Sequence, residues 1–132
     1  MEDEILEGMV MNRSEAASYA ARWAERWNRV DIDAIADDFA EDGEMRSPHA
    51  IKIAGDATVR GREAIRFYWR ELYGHVTNPC LHLEDIAFDE IAQRLIVWWR
   101  ADLPSGSFRA SEMMQFNAAG EIVRSEAYYG AV

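Results

Sequence analysis

The chain has 132 residues, which is long enough for one domain with a buried core. Its hydrophobic fraction of 49% and aromatic fraction of 11% are typical of globular proteins and argue against a disordered chain. The formal net charge of −10 argues against binding to nucleic acid or to an anionic membrane, since both require a basic surface.

The N-terminal segment and the single cysteine predict a cytoplasmic protein. Residues 1–12 are expected to be a loosely packed lead-in to a single domain over residues 1–132, and they begin with acidic residues where a secretory signal would be basic. No apolar run approaches the length that spans a membrane. Cys80 has no cysteine partner, and no Cys/His spacing resembles a zinc site, so we expect a buried apolar thiol and no bound metal.

Three helices are expected in the first half of the chain. Ser14 is a good N-cap for a helix that ends near Arg29. Asp31 can cap a second, short helix that ends near Gly43, and a third is expected over residues 62–73. Apolar residues recur at intervals of three and four in each helix. The faces expected to be buried are Ala16, Ala20, Trp23, Trp27 and Val30, then Ile32, Ile35 and Phe39, then Ala64, Ile65, Tyr68, Trp69 and Leu72.

The segment between the second and third helices contains glycine and proline and has no clear periodicity. Residues 44–47 are typical of a short strand that ends at Pro48. Residues 48–61 predict a long loop or an irregular hairpin. Segments of this kind often lie over a functional site.

Everything after the third helix is strand-like. The four predicted strands, separated by turn signals, are 81–88, 95–103, 108–116 and 122–129. Three helices followed by an antiparallel meander predict an α+β fold. A strongly curved sheet wrapped around a helix would leave a conical cavity, and cavities with an aromatic lining bind small molecules.

Glu112 is the most unusual position in these strands. Because side chains alternate between the two faces of a strand, Glu112 shares a face with Phe108, Ala110, Met114 and Phe116. A carboxylate in an apolar row is costly to bury unless it is neutral, paired or hydrogen-bonded. Glu112 is therefore either part of a functional pocket or a satisfied structural carboxylate.

The same alternation predicts which residues of the neighbouring strands face Glu112. Trp99 belongs to an apolar inward row, whereas Arg100 and Asp102 face outward, where they could pair with Glu126 or Arg124. On the last strand the residues expected to face inward are Val123, Ser125, Ala127 and Tyr129, and those expected to face outward are Ile122, Arg124, Glu126 and Tyr128.

Three sequence segments carry a family resemblance. They are WNRVDIDAIADDFAEDGEMRSP (27–48), GREAIRFYW (61–69) and FNAAGEIVRSEAYY (116–129). In this order and spacing they resemble the nuclear transport factor 2-like superfamily, specifically its SnoaL-like branch, over roughly residues 14–130. The resemblance implies a cone-shaped roll, in which three N-terminal helices pack on a strongly curved, mixed, mostly antiparallel sheet that encloses a pocket.

Members of this superfamily include ketosteroid isomerase, limonene epoxide hydrolase, scytalone dehydratase and polyketide cyclases, beside non-catalytic binding modules. The fold therefore does not determine the function. In the comparison with ketosteroid isomerase, the general-base aspartate falls on Ser47, the oxyanion-hole tyrosine on Trp23 and the protonated oxyanion-hole aspartate on Glu112. A serine hydroxyl cannot abstract a proton from carbon without a base of its own, so that chemistry is not expected.

Two further comparisons concern other polar residues. Arg100 and Asp102 imitate the Arg-x-Asp motif of limonene epoxide hydrolase, but the position of the second aspartate holds Ala127. His82 lies near the place of a pocket histidine of scytalone dehydratase-like proteins, although their second pocket histidine has no counterpart. His49 could lie over the mouth of the cavity.

The favoured hypothesis is a pocket that binds a small apolar or polycyclic compound and isomerises, dehydrates or cyclises it without a cofactor. Glu112 would be the acid/base or hydrogen-bond donor, because burial raises the pKa of a carboxyl group, and His82 or Tyr129 would be the second proton-handling group. The side chains expected to bind the compound are Trp23, Trp27, Ser47, Tyr68, Trp69, Trp99, Phe108, Met114, Ser125 and Tyr129.

The alternative is a non-catalytic ligand-binding or dimerisation module of the same fold, which the loss of two of the three isomerase positions favours. An auxiliary subunit of an oxygenase is a third, weaker reading of the fold. In either case a homodimer is expected through the outer face of the sheet, because Ile96, Trp98 and Tyr128 are apolar where a monomer would expose them.

Overall fold

The computed structural model of the chain describes residues 10–130. The helices in this range are α1 (Arg13–Asn28), α2 (Ile32–Asp37), α3 (Ala50–Ala54) and α4 (Arg62–Tyr73). The strands are β1 (Phe39–Arg46), β2 (Thr58–Arg60), β3 (Cys80–Asp89), β4 (Arg94–Leu103), β5 (Gly106–Phe116) and β6 (Ile122–Tyr129). Within residues 10–130 every helix is too short or too polar to cross a membrane.

The six strands form one sheet with the order β2-β1-β6-β5-β4-β3. β1 pairs in parallel with β6, and all the other pairs are antiparallel. Register shifts interrupt the β1–β6, β3–β4 and β5–β6 pairs, and such bulges bend strands and increase the twist of a sheet. The predicted mixed, mostly antiparallel sheet and the α+β cone are confirmed, and residues 10–130 contain four helices where three were expected.

The start of α1 differs from the prediction. The N-cap is Asn12, whose side chain accepts a hydrogen bond from the Glu15 backbone N–H at 2.8 Å, while Glu15 accepts one from the Asn12 N–H at 3.0 Å. Ser14 is not the cap, because the reciprocal capping box needs Glu or Gln three residues after the cap, which only Asn12 has. Met11 pairs through its backbone with the Gln93 side chain, and residues 1–9 of the predicted lead-in lie outside the described part.

The boundary between α2 and β1 also differs. Asp31 caps α2 as predicted, but the helix ends at Asp37 and Phe39 begins β1, which is much longer than the predicted strand at 44–47. The cause is long-range pairing: Phe39 lies opposite Ile122 of β6, and this parallel contact overrides the local helical pattern.

Gly43 lies inside β1 and does not end a helix. The strand is irregular between Phe39 and Glu44, and a Cβ atom at Gly43 would lie 2.9 Å from the Ile122 carbonyl oxygen. Only glycine allows the two backbones to approach so closely at this bulge.

Residues 48–61 form the irregular hairpin that was one of the two predictions. β2 returns antiparallel to β1, and the short helix α3 lies in the connection. Gly55, with φ of +80°, ends α3. The glycine therefore sits where the chain needs a left-handed backbone conformation.

The core lies between the concave face of the sheet and the helices α1, α2 and α4. The inward row of β4 is buried as predicted, and α4 buries Ile65, Tyr68 and Trp69. Ala64, which was also expected on this face, is exposed because the buried stripe of α4 is narrower than the apolar pattern suggested. The core residues contributed by α1 and β4 are Ala16, Tyr19, Ala20, Trp23, Ala24, Leu95, Val97, Trp99 and Ala101.

Two predictions about strand faces need correction. Ile122 was expected to face outward but is only 1% exposed, because the bulge between Gln115 and Phe116 shifts the facing of β6 at its start. Arg100 and Asp102 do face outward, but they cannot pair with residues of β6, since β5 lies between β4 and β6.

Candidate functional site

A cavity of about 130 Å³ opens between the sheet and the helices α1 and α4. Most of the predicted binding side chains line it, namely Trp23, Trp27, Ser47, Tyr68, Trp69, Trp99, Phe108 and Tyr129. Glu112 lines it as well. The sequence therefore identified about half of the wall, from strand and helix periodicity and, for Ser47, from the family resemblance.

Two predicted residues, Met114 and Ser125, line a second space of about 10 Å³ instead, and Glu112 lies on the wall of both spaces. A volume of this size is at the lower limit for a single water molecule. Met114 and Ser125 thus lie behind Glu112 and not in the main cavity.

Glu112 projects from the middle of β5 between Val97 of β4 and Ala127 of β6, its partners in register. Its side chain is half-buried, and the surface that stays accessible faces the cavity. Within residues 10–130 no basic side chain forms an ion pair with it, and burial alone raises its pKa from 4.5 to about 8. At neutral pH the group is therefore mostly an uncharged acid that can donate a hydrogen bond.

Three phenol groups lie on the wall with Glu112: Tyr68, Tyr73 and Tyr129. Burial is the main cause that raises the pKa of each of them. Hydrogen bonding from Tyr73 and Ser47 acts on Tyr129 in the opposite direction, toward a lower pKa. All three phenols stay protonated at neutral pH, so they offer hydrogen-bond donors and no charge.

The indole N–H of Trp99 is a further donor. Trp99 is 8% exposed, and its Nε1 atom has no hydrogen-bond partner in the part of the chain described here. On β4, Trp99 follows two residues after Val97, the partner of Glu112, so both side chains project from the same face. An unpaired buried N–H costs free energy, but Nε1 has almost no accessible surface, so this donor belongs to the core behind the wall and does not reach a ligand in the cavity.

The aromatic side chains of the wall pack on one another, and aliphatic residues such as Leu81 and Leu103 complete the lining. Trp27 contacts Trp69 and Tyr73, with both pairs of ring centroids 5.3 Å apart and nearly perpendicular. Trp99 packs edge-on against Phe108 at 5.4 Å. These contacts make the rings part of the core and, at the same time, a rigid apolar wall.

His82 is the main correction to the predicted site. It is exposed, and its Nε2 atom lies 3.1 Å from both the Cys80 Sγ and an Asp102 carboxylate oxygen. Leu81 and Leu83 take the inward positions of β3, so His82 faces outward with Arg100. His82 is therefore not a proton-handling group of the cavity.

Cys80 and His49 also differ from their expected places. Cys80 was expected to be buried, but its thiol is exposed, because it begins β3 at the edge of the sheet, where it forms part of the cavity rim. His49 is exposed and packs against Tyr129 with ring centroids 4.7 Å apart, so it contacts the wall without lining the cavity.

Tyr73 is the most useful residue that the sequence reading missed. It lies four residues after Trp69 on α4 and therefore shares its face, a spacing that could have identified it. Met45 and Ala127 also line the cavity, from inward positions of β1 and β6. For metal binding the chain offers a different place, since Cys80, His82 and Asp102 hold three potential ligand atoms within 4.8 Å of one another.

The arrangement can bind an apolar molecule and donate hydrogen bonds to an oxygen atom on it. Glu112 is also a group that can give up or take back a proton near neutral pH, because its pKa lies close to that range.

Comparisons with known proteins agree with the fold described above. The sequence profile of the SnoaL-like domain family matches residues 20–125. A SnoaL-like protein of unknown function from Burkholderia thailandensis E264 has a similar structure, with a TM-score of 0.80 and 25% sequence identity, over 92% of this chain and 99% of that one.

Two further solved structures share the fold at lower identity. A protein of unknown function with a cystatin-like fold from Methylobium petroleophilum PM1 matches with a TM-score of 0.72 and 17% identity, over 93% of this chain and 80% of that one. SalBIII, an epoxide hydrolase/cyclase-like enzyme with a role in pyran ring formation in the polyether salinomycin, matches with a TM-score of 0.71 and 17% identity, over 90% and 93%. A search of curated proteins finds no match.

Proposed function

The chain belongs to the SnoaL-like domain family, and on this premise we propose that it binds a small, mostly apolar organic compound and transfers protons on it through Glu112. The reaction class is isomerisation, dehydration or cyclisation, which needs an acid/base group in a dry pocket.

The observation that supports this proposal is that Glu112 is a carboxyl group without an ion-pair partner on the wall of the cavity, among the residues that the structure describes. A carboxyl group enclosed by aromatic and aliphatic side chains costs free energy unless it has a use or a partner. Glu112 has no ion-pair partner within residues 10–130 and lies at the wall of an open cavity. Unsatisfied acids of this kind are enriched at functional sites.

The size and lining of the cavity define the class of ligand. An engineered apolar cavity of about 150 Å³ binds benzene, and the cavity here measures about 130 Å³. A single ring therefore fits inside, and a polycyclic compound would extend past the rim. The donors Glu112 and Tyr129 favour a ring that carries a carbonyl, epoxide or hydroxyl oxygen.

Tyr129 is the group we propose as the partner of Glu112 in proton transfer, now that His82 lies outside the cavity. Hydrogen bonding with Tyr73 and Ser47 lowers the pKa of the Tyr129 hydroxyl and so opposes the effect of its burial. Such a chain of hydroxyl groups can also hold the Tyr129 hydroxyl in place as a donor. The cyclase-like description of SalBIII supports ring closure as one of the candidate reactions, although that likeness itself concerns the fold.

The test is a thermal-shift screen of the wild type against cyclohexanone, cyclohexene oxide, menthol and benzoic acid, followed by product analysis for every hit. A ligand at about a hundred times its dissociation constant adds about 2.7 kcal/mol of stability. We expect a hit among the neutral oxygen-containing rings, weakened in Glu112→Leu, which removes the hydrogen-bond donor that a glutamine would keep, and unchanged in Glu71→Leu, at an exposed position of α4. No shift with any class, or equal shifts in both variants, would contradict the proposal.

A second candidate function is ligand binding without turnover. Glu112 is accompanied on the wall by Ser47 and by three phenols whose pKa values are raised. Among residues 10–130 no histidine lines the cavity, and this shortage of proton-transfer groups favours binding alone. Binding of a ring compound in the screen with no new product by mass spectrometry after prolonged incubation would support this function over the enzymatic one.

A further inference from the structure

We propose that Cys80, His82 and Asp102 form a binding site for a divalent transition metal ion, with Zn²⁺ as the best fit. The three side chains are exposed or half-buried on the outer face of the sheet, where β3 begins and β4 ends. The inference does not rest on the ligand proposed for the cavity, although Cys80 also borders the cavity rim.

The pairing of β3 with β4 brings the three residues together. Cys80 lies directly opposite Asp102 in register, and His82 follows two residues after Cys80 on the same face. The His82 Nε2 atom is 3.1 Å from the Cys80 Sγ and 3.1 Å from the Asp102 Oδ2. The sequence does not reveal this arrangement, because Asp102 lies on a different strand from Cys80 and His82. The absence of a zinc-like Cys/His spacing is the reason that no metal was expected.

These distances are close to those of a tetrahedral zinc site. Usual Zn–S, Zn–N and Zn–O bond lengths place neighbouring ligand atoms roughly 3.4–3.6 Å apart. The three potential ligand atoms lie within 4.8 Å of one another, so small rotations of exposed side chains could admit the ion. Three protein ligands would leave the fourth position to water.

The donor set itself favours zinc over calcium or magnesium. Thiolate and imidazole are borderline-soft ligands, whereas calcium and magnesium prefer oxygen alone. The thiolate and the carboxylate together carry two negative charges, which balance the charge of a divalent ion.

The surroundings of Asp102 orient its carboxylate. Ser107 Oγ donates a hydrogen bond to Asp102 Oδ1 at 2.6 Å, and Arg100 Nε lies 3.3 Å from the same oxygen. The other oxygen, Oδ2, is the one that faces His82. Hydrogen bonds of this type orient metal ligands in known sites. The Arg100 cation, however, repels a metal ion, so it should weaken the affinity.

The same three residue types occur in Cys-His-Asp catalytic triads, but the geometry here does not match. In a triad one ring nitrogen contacts the nucleophile and the other contacts the carboxylate. In this structure the single atom His82 Nε2 contacts both partners. This contact excludes the triad arrangement and brings three potential metal-ligand atoms to one place.

The test uses the full chain, reduced and freed of metal by a chelator, and titrated with Co²⁺ and then Zn²⁺. We expect one Co²⁺ per chain, with the visible bands of tetrahedral cobalt and a thiolate-to-cobalt charge-transfer band, both removed by Zn²⁺. Cys80→Ser should abolish the charge-transfer band, and His82→Ala should weaken binding by about tenfold or more. His75→Ala, an exposed histidine elsewhere, is the matched control and should bind as the wild type does.

Arg100→Gln should have the opposite effect on Co²⁺ affinity to the His82 variant. Because it removes the nearby positive charge, Co²⁺ should bind several-fold more tightly. Circular dichroism of each variant checks that the fold is intact. Absence of the charge-transfer band in the wild type, or equal cobalt binding in Cys80→Ser and wild type, would overturn the proposal.

Discussion

Glu112 and Asp38 are both acids removed from bulk solvent, yet their surroundings are opposite. Asp38 accepts hydrogen bonds from the Tyr19 hydroxyl at 2.9 Å and from Arg26 at 2.6 Å, which offset part of the effect of its burial. Glu112 has no such compensation among the described residues, and desolvation alone raises its pKa to about 8. A structural carboxylate is expected to resemble Asp38, which is why we assign a ligand-directed role to Glu112.

The ionisation of Glu112 predicts a specific pH dependence of stability. Its pKa is 4.5 in the unfolded chain and about 8 in the folded one. Below the lower value both states are protonated and folding carries no penalty. As pH rises from there, the unfolded chain loses its proton first, so the free energy of unfolding falls by roughly 1.4 kcal/mol per pH unit at most. The loss levels off once the folded state also ionises.

Urea unfolding of wild type and Glu112→Gln across this pH range measures the effect. The variant should lack this loss and should therefore gain stability relative to the wild type as pH rises from 4.5 to about 8. Glu71→Gln, an exposed control, should leave the wild-type profile unchanged. A constant destabilisation of Glu112→Gln by about 3 kcal/mol or more at every pH would instead indicate a broken ion pair.

Ser125 offers a second test at a single residue. Its hydroxyl is buried behind Glu112 and has no hydrogen-bond partner within residues 10–130. Ser125→Ala removes an unsatisfied polar group with little change of volume, so the free energy of unfolding should stay constant or rise by about 1 kcal/mol. Thermal unfolding measures this, and a loss of similar size would show that the hydroxyl is satisfied, for example by a water molecule in the small space beside it.

At the scale of the elements, the predictions succeeded where one strand or helix contains its own signal. α4, β4 and β5 show clear periodicity, and the inward rows that contain Trp99 and Glu112 follow from it directly. The predictions fail where pairing with a strand that is distant in sequence determines the structure. β1 is long because it pairs with β6, and the bulge at Phe116 turns Ile122 inward, and neither pairing is visible in the local sequence.

His82 is an instructive exception, because the local signal was present. Leu81 and Leu83 flank it with the alternation of a strand whose leucines face the core, which predicts an outward histidine. The family resemblance suggested a pocket histidine instead, and the alternation was right. For His82, the alternation of β3 therefore predicted the position better than the comparison with a relative's active site did.

The capping box of α1 gives a prediction for an element end. Asn12→Ala removes the side-chain acceptor of the Glu15 N–H and should lower the free energy of unfolding by about 1 kcal/mol. Ser14→Ala, the cap expected from sequence, is the matched control and should have almost no effect. Chemical denaturation compares the two, and the reverse ranking would show that the helix begins at Ser14.

At the scale of the whole molecule, the outer face of the sheet carries an apolar patch. Trp98 of β4 and Tyr128 of β6 are 40% and 51% exposed, and both lie opposite Ser111 of the intervening strand β5. With Ile96 they form the surface that we expect to join two copies of the chain, because a symmetric pair would cover these rings.

Light scattering after size exclusion tests this expectation. The wild type should be a dimer, and Trp98→Thr, which keeps a strand-compatible side chain, should shift the mass toward the monomer. Ile91→Ser is the control, since Ile91 is 98% exposed but lies in the turn between β3 and β4. A monomeric wild type, or equal masses for both variants, would show that the patch does not mediate assembly.

The proposed function depends on Glu112 being an uncharged acid available to a ligand, and titration of its carboxyl group measures this property. Carbon-detected NMR of glutamate-labelled protein, with Glu112→Gln to assign the signal, would follow the carboxyl shift as a function of pH. We expect the Glu112 carboxyl group to titrate with a midpoint near pH 8. A midpoint near the ordinary value of 4.5 would contradict it, because the group would then be charged at neutral pH and could not donate a hydrogen bond.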